Sequence, residues 1–295
     1  MHEHLRLLSD VRPLRNPVLI AAITGWTDAN GAAVAALDYL VEQWQATPVA
    51  EVDPEPFYDF TVQRPRTLLE GDTRRIEWPE NRFYTASPAG SDRDFLLFAG
   101  IEPHLRWRMY TELVEDMMKA VGASTSVTLG VQPGPVPHTR PLPVNLSASD
   151  NDFEEQFGLK IPTSRYEGPA GIISVLNLHF RALDWRNASL WAVVPHYLNV
   201  GPNPNAAVSL VKAVDKGFRT VTSQVGLEER CDEFSHQVQE AMEHSDEAAS
   251  YITSLEEQYD SNSSTLPDAG VGELPTSDEL LGDLENFLRQ QREDR

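Results

Sequence analysis

Four short apolar runs recur along this chain with helix-patterned stretches between them, and that alternation restricts the fold more than any other feature. They are PVLIAAI at 17–23, DFLLFAG at 94–100, STSVTLG at 124–130 and ASLWAVVPHY at 188–197. Runs of this length suit strands buried on both faces. After the first, Gly25 permits a tight turn and Asp28 or Asn30 can cap a helix whose apolar positions 33, 34, 37, 40, 41 and 44 form one stripe. The second run leads into IEPHLRWRMYTELVEDMMKAVG, where Pro103 suits a first helical turn and Gly122 a stop. The fourth precedes NPNAAVSLVKAVDKGF, with Asn203 as cap and Pro204 in the first position. A largely parallel sheet between two helical layers is the economical reading: α/β, a three-layer α/β/α sandwich.

The other segments are secondary. PFYDFTVQRP, TRRIEWPE and NRFYTAS read as edge strands or hairpins, because prolines interrupt them. LSASDNDFEEQFGL reads as a short capped helix, and SRYEGPAGIISVLNLHFRALD as a Gly-Pro turn followed by a helix to about Leu183. The core is expected over 1–225. An acidic helical extension follows over 226–295, with one long helix at 227–260 and a linker near 261–276. Its last stretch, SDELLGDLENFLRQQR, is a helix with Leu280, Leu281, Leu284, Phe287 and Leu288 on one face.

Charge and motif content exclude several functions. The net charge is −21, and the residues from Gly226 onward carry 19 acidic against 4 basic side chains. Binding to a phosphate backbone needs clustered cations, so neither nucleic acid nor anionic membrane is an expected partner. No apolar run is long enough to span a bilayer and no secretory leader is apparent, so a cytoplasmic location is expected. The single cysteine, Cys231, makes no internal disulfide, and its acidic surroundings should raise its pKa. No phosphate loop, dinucleotide fingerprint, HExxH, GxSxG or CxxC occurs, so no cofactor and no metal is expected.

What remains is positional. In parallel sheets, ligands gather beyond the carboxyl ends of the strands. The turns there carry Trp26 and Asp28, Glu102 and Arg106, His138, Thr139 and Arg140, and His196 with Tyr197; Tyr166 and Glu167 form a fifth candidate. QPGPVPHTRPLP stands out, with five prolines stiffening the backbone on both sides of His138–Arg140. These residues could form a pocket for acid–base chemistry. They could equally lock the loops together: Asp28 capping its helix, Glu102 at the helix opening by Pro103, Arg140 neutralising either, and His138 donating to a loop carbonyl. Trp26, Trp107 and Trp191 are read as core or sub-surface packing.

Taken together, PVLIAAITGWTDANGAA, LLFAGIEPHLRWRMY, VTLGVQPGPVPHTRPLPV, SRYEGPAGIISVL, SLWAVVPHYLNVGPNPNAAVSLV and DELLGDLENFL resemble the PAC2 family, and within it the actinobacterial branch. That family takes its name from a proteasome assembly chaperone. The resemblance implies a phosphorylase/hydrolase-like α/β/α fold with a C-terminal helical extension. Bacterial members carry no established activity, whereas archaeal and eukaryotic relatives assist protein assembly. Some of those end in a hydrophobic-Tyr-X motif that enters proteasome pockets, and Gln291–Arg295 lacks it. The expectation is a non-catalytic, protein-binding or assembly-factor-like homo-oligomer, with a trimer among the candidates. The alternative is a small-molecule hydrolase or nucleoside-type transferase using the loop cluster.

Overall fold

The structure is a computed structural model that describes residues 2–28, 30–198, 201–242 and 246–261. Its centre is an eight-stranded sheet in the order β1-β3-β6-β7-β2-β8-β10-β9. The four inner strands are β7 (Phe95–Ile101), β2 (Val18–Thr24), β8 (Thr125–Gly134) and β10 (Arg186–Pro195), all mutually parallel. Each holds most of one of the four apolar runs. Antiparallel strands flank them: β6 (Arg82–Ala86), β3 (Thr47–Val52) and β1 (Leu5–Leu7) on one side, β9 (Val144–Ala148) on the other. Strands β4 (Arg66–Glu70) and β5 (Thr73–Glu77) form a separate hairpin.

Pleating explains why a run such as VLIAAI in β2 is apolar throughout. In β2, Val18, Ile20 and Ala22 face one core, while Leu19, Ala21 and Ile23 face the other. Helices α1 (Ala32–Gln43), α3 (Asp152–Phe157) and α5 (Pro204–Phe218) cover the first face. Helices α2 (Trp107–Val121) and α4 (Ile172–Ala182) cover the second. A fully buried Leu or Ile contributes on the order of 1.5–3 kcal/mol, so strands buried on both faces anchor the domain. Two further helices, α6 (Val225–Met242) and α7 (Asp246–Ser261), occupy the region expected to hold one long helix. Helix α6 lies against α5. No helix among the described residues is long and apolar enough to cross a membrane.

Several local expectations change. The segment PFYDFTVQRP contains no strand: Phe57 and Tyr58 amides turn back to the Pro54 carbonyl, and Asp59 caps the Thr61 amide in an Asx turn. Pro103 precedes α2 rather than opening it. The His104 and Leu105 amides are taken by the Phe57 carbonyl, and the helix starts only after Arg106, at φ 55°. Gly122 does end it, at φ 81°. The linker and the stretch 277–292 lie outside the described residues, apart from Ser261, which ends α7.

Candidate functional site

The parallel strands deliver all four expected turns to one rim, where they form two interlocked groups. The first surrounds Glu102, directly after β7. Its Oε2 accepts from the Trp26 amide at 3.1 Å and its Oε1 from the Ile172 amide at 2.7 Å. Ile172 opens α4, so this carboxylate meets the positive end of α4 and not, as the sequence suggested, the helix after Pro103. The close approach requires a glycine. Gly25 has φ 130°, and a Cβ there would fall 2.6 Å from Glu102 Cβ.

Asp28 is fully buried, and its carboxylate accepts from the Ala33 amide at 2.9 Å and the Val34 amide at 3.0 Å. These are orphan donors of α1. The cap position itself is Gly31, which has no side chain to offer, so Asp28 supplies the acceptor from three residues upstream. Burial pushes its carboxyl above the ordinary value, against the opposing pull of the backbone amides. Asn30 accepts from the Ala32 amide. Thr27 ties this group to the next, because its carbonyl receives the Val131 amide at 2.9 Å.

The second group lies beyond β8 and β10. The His138 amide donates to the Tyr197 hydroxyl at 2.9 Å, and that hydroxyl lies 2.9 Å from His138 Nδ1. The Tyr197 hydroxyl thus bonds both the backbone and the ring of His138, accepting from the first and sharing a hydrogen with the second. Burial depresses the pKa of His138, with Glu256 pulling weakly the other way. Burial likewise raises the pKa of Tyr197. His196 bridges two elements: its Nδ1 lies 3.1 Å from the Gly134 carbonyl and its Nε2 3.2 Å from the Tyr251 hydroxyl. Among the described residues, His138 lacks the expected carbonyl contact; it is His196 that addresses a carbonyl, at the end of β8.

Arg140 corrects another expectation. It neutralises neither Asp28 nor Glu102; it reaches helix α7. Its Nε and Nη2 hold the two oxygens of Asp260 at 3.0 and 2.8 Å, and its Nη1 lies 3.2 Å from Glu256. Thr139 also donates to Glu256, and the Tyr259 hydroxyl donates to the Pro141 carbonyl at 2.8 Å. Below these polar contacts, Ile252 and Leu255 of α7 are buried. The proline-rich loop is therefore the seat of α7.

The other candidates stay apart. Trp26 is 66% exposed, against the expectation of packing, and enters the first group only through its amide. Trp107 and Trp191 are partly buried against the α2/α4 core. Arg106 is exposed at the start of α2. Tyr166 is 64% exposed with its hydroxyl on the Pro169 carbonyl, and Glu167 is exposed beside it. Two surface hollows, of about 540 and 570 Å³, lie beside Trp78 and beside Phe218 and include none of the candidate residues. Among the described residues, no three His, Cys, Asp or Glu side chains are grouped so as to hold a metal ion.

Sequence reasoning missed a buried network beneath the rim. Asn81 is wholly buried and its Oδ1 accepts from the Ile101 amide and the Tyr110 hydroxyl, both at 2.9 Å. Its Nδ2 donates to the Tyr58 hydroxyl, which passes its hydrogen to the Ile101 carbonyl at 2.5 Å. A Cβ on Gly100 would lie 1.8 Å from Asn81 Oδ1. This network holds the end of β7, and hence Glu102. The adjacent Gly100 was the only sequence signal. Tyr251, Glu256 and Asp260 were also missed as partners of the loop, although the spacing of four between the two carboxylates puts them on one helical face.

Comparison with known proteins agrees with this architecture. The sequence profile of the PAC2 family matches residues 22–242. No curated protein matches the sequence. A PAC2 family protein from Streptomyces avermitilis is 34% identical with a TM-score of 0.71, covering 80% of this chain and 99% of its own. A Mycobacterium tuberculosis proteasome-assembly chaperone homologue gives the same four values: 34%, 0.71, 80% and 99%. A second Mycobacterium tuberculosis protein, of unknown function, is 26% identical with a TM-score of 0.76, covering 97% of this chain and 96% of its own. With the profile spanning most of the chain and the sheet order, helical layers and C-terminal helices all in place, this chain belongs to the PAC2 family, alongside its actinobacterial members.

Proposed function

We propose that this chain is a non-catalytic, protein-binding subunit of assembly-factor type that associates with itself. One observation carries the reading: each of these polar side chains at the strand rim is already bonded to a neighbouring part of the fold. Asp28 holds α1, Glu102 holds α4, His138 holds Tyr197, and Arg140 holds α7. A catalyst of acid–base type needs such groups free, pointed at a common cavity and poised to exchange protons. Here they serve as rivets that make the rim a rigid platform with a helix seated on it. The relationship to a proteasome-assembly chaperone homologue supports the same direction.

The test is biochemical. The full chain, cross-linked at native abundance in its own cells and purified, should yield a homo-oligomer or a stoichiometric protein partner. A monomer that retains no stoichiometric partner would overturn the reading. So would turnover of a small-molecule substrate that Asp28→Asn, Glu102→Gln and His138→Gln each abolish without unfolding the protein.

A further inference from the structure

Helix α7 meets the rim through one face. Ile252 and Leu255 are buried, Glu256 accepts from Thr139 and Arg140, and Tyr259 donates to the Pro141 carbonyl. These four positions follow at intervals of three, one and three, so they form a single stripe on the helix. Tyr251 and Asp260 flank the stripe, the first on His196 and the second on Arg140. This is an amphipathic helix laid in a groove, and its anchors spell apolar-x-x-Leu-Glu-x-x-apolar, with an aromatic residue in the last place. The groove does not need α7 to take shape. Prolines at 135, 137, 141 and 143 stiffen the loop, and Tyr197 holds the His138 amide.

The same pattern occurs once more in the chain: LGDLENFL at 281–288 matches ITSLEEQY at 252–259. The later stretch lies outside the described residues. In sequence, Leu281, Leu284, Glu285 and Leu288 stand at the spacings of Ile252, Leu255, Glu256 and Tyr259. The polar extras differ. Leu280 and Leu288 replace the hydroxyls of Tyr251 and Tyr259, and Arg289 replaces Asp260, which would set a cation against Arg140. Helix α7 is therefore the stronger ligand of the two. An extended chain over 262–280 spans roughly 60 Å, so the repeat stays within reach of a seat at which α7 itself ends.

We infer that residues 281–288 are a second ligand for this groove in the same molecule, held off by α7 and taking its place when α7 lifts. The rim is thus a helix-binding surface with an internal competitor, and Tyr251, Tyr259 and Asp260 decide which ligand holds it. The exchange presents the Ile252–Leu255–Tyr259 stripe to a protein partner while the groove stays covered. The inference holds for a single molecule and goes beyond the reading of this chain as a protein-binding subunit.

Hydrogen exchange mass spectrometry on the full chain tests it. Ile252→Asp with Leu255→Asp should empty the groove of α7, and exchange over 281–288 should then slow about tenfold. Adding Leu281→Asp and Leu284→Asp should abolish that protection and speed exchange at His138–Arg140. In an otherwise natural chain, Leu288→Tyr with Arg289→Asp should speed exchange in α7 about tenfold at an unchanged melting temperature. A further Leu284→Asp should reverse it. These last substitutions leave every described residue as it is, so they decide the matter even where the α7 variant unfolds. Exchange over 281–288 that ignores the loss of α7 in a folded protein overturns the inference, and so does an α7 that ignores the improved competitor. Protection that fades on dilution puts the stretch of another molecule in the groove and overturns the assignment to the same chain.

Discussion

Arg140 and Asp260, 120 residues apart, meet in a two-bond fork with both guanidinium–carboxylate distances at or below 3.0 Å. This is the geometry in which an arginine positions a carboxylate rather than merely attracting it. The pair is exposed, so its role lies in local docking of α7 and not in global stability.

Arg140→Ala should therefore raise amide hydrogen exchange in α7 while leaving the core and the melting temperature unchanged. Arg140→Lys should give only partial protection, since an ammonium cannot hold both oxygens in one plane. Exchange mass spectrometry of wild type and both variants, at low and high salt, checks this. Added salt should loosen α7 in the wild type and have little effect in the alanine variant.

His138→Ala leaves the buried Tyr197 hydroxyl without its ring partner, at a cost of about 1–3 kcal/mol in urea unfolding. The same pair makes stability depend on pH. Burial puts the folded pKa of His138 below its ordinary 6.5, so the unfolded chain binds the proton more readily. The contribution is present above pH 6.5 and is lost as the pH falls through the window beneath it. The variant should lose that part of the slope, read from unfolding midpoints between pH 5 and pH 7.

Asp28 has the opposite sign. Its folded pKa lies above the ordinary 3.8, so the native state holds the proton longer than the unfolded chain does. Stability from this group is greatest below 3.8 and declines as the pH rises through the folded value. Asp28→Asn should remove that decline while keeping one acceptor for α1. Asp28→Ala removes both acceptors and should cost about 1–3 kcal/mol. Denaturation of the three proteins at pH 4 and pH 7 separates the two effects.

Cys231 should be a slow thiol. Burial first, then Asp232 and Glu228, push its pKa up to about 11. At pH 8 its alkylation by iodoacetamide should be on the order of a hundredfold slower than that of an unperturbed cysteine, because the thiolate is correspondingly scarce. Unfolding in urea should restore the ordinary rate.

The parts of the fold that were legible had a local cause. VLIAAI and FLLFAG are apolar throughout because both faces of their strands are covered, and Asn203-Pro204 does open α5. Strands β3 and β9 were not legible. Each sits nearer a sheet edge and is only partly buried, so neither forms an uninterrupted apolar run. The rim was placed correctly because chain direction alone puts every turn after a parallel strand at the same end. Pairings within the rim were not, since Arg140 selects a partner 120 residues away and Glu102 an amide 70 residues away. Local sequence carries no record of such a choice.

The ten-residue ladder between β8 and β10 brings Pro195 beside Gly134, and the next residue, His196, returns both its amide and its ring to the Gly134 carbonyl. A slip of one rung would turn that imidazole to the opposite side of the sheet and withdraw it from Tyr251. Helix α7 thus closes its full set of contacts only over a correctly threaded sheet, and the outermost helix carries a reading of the register beneath it.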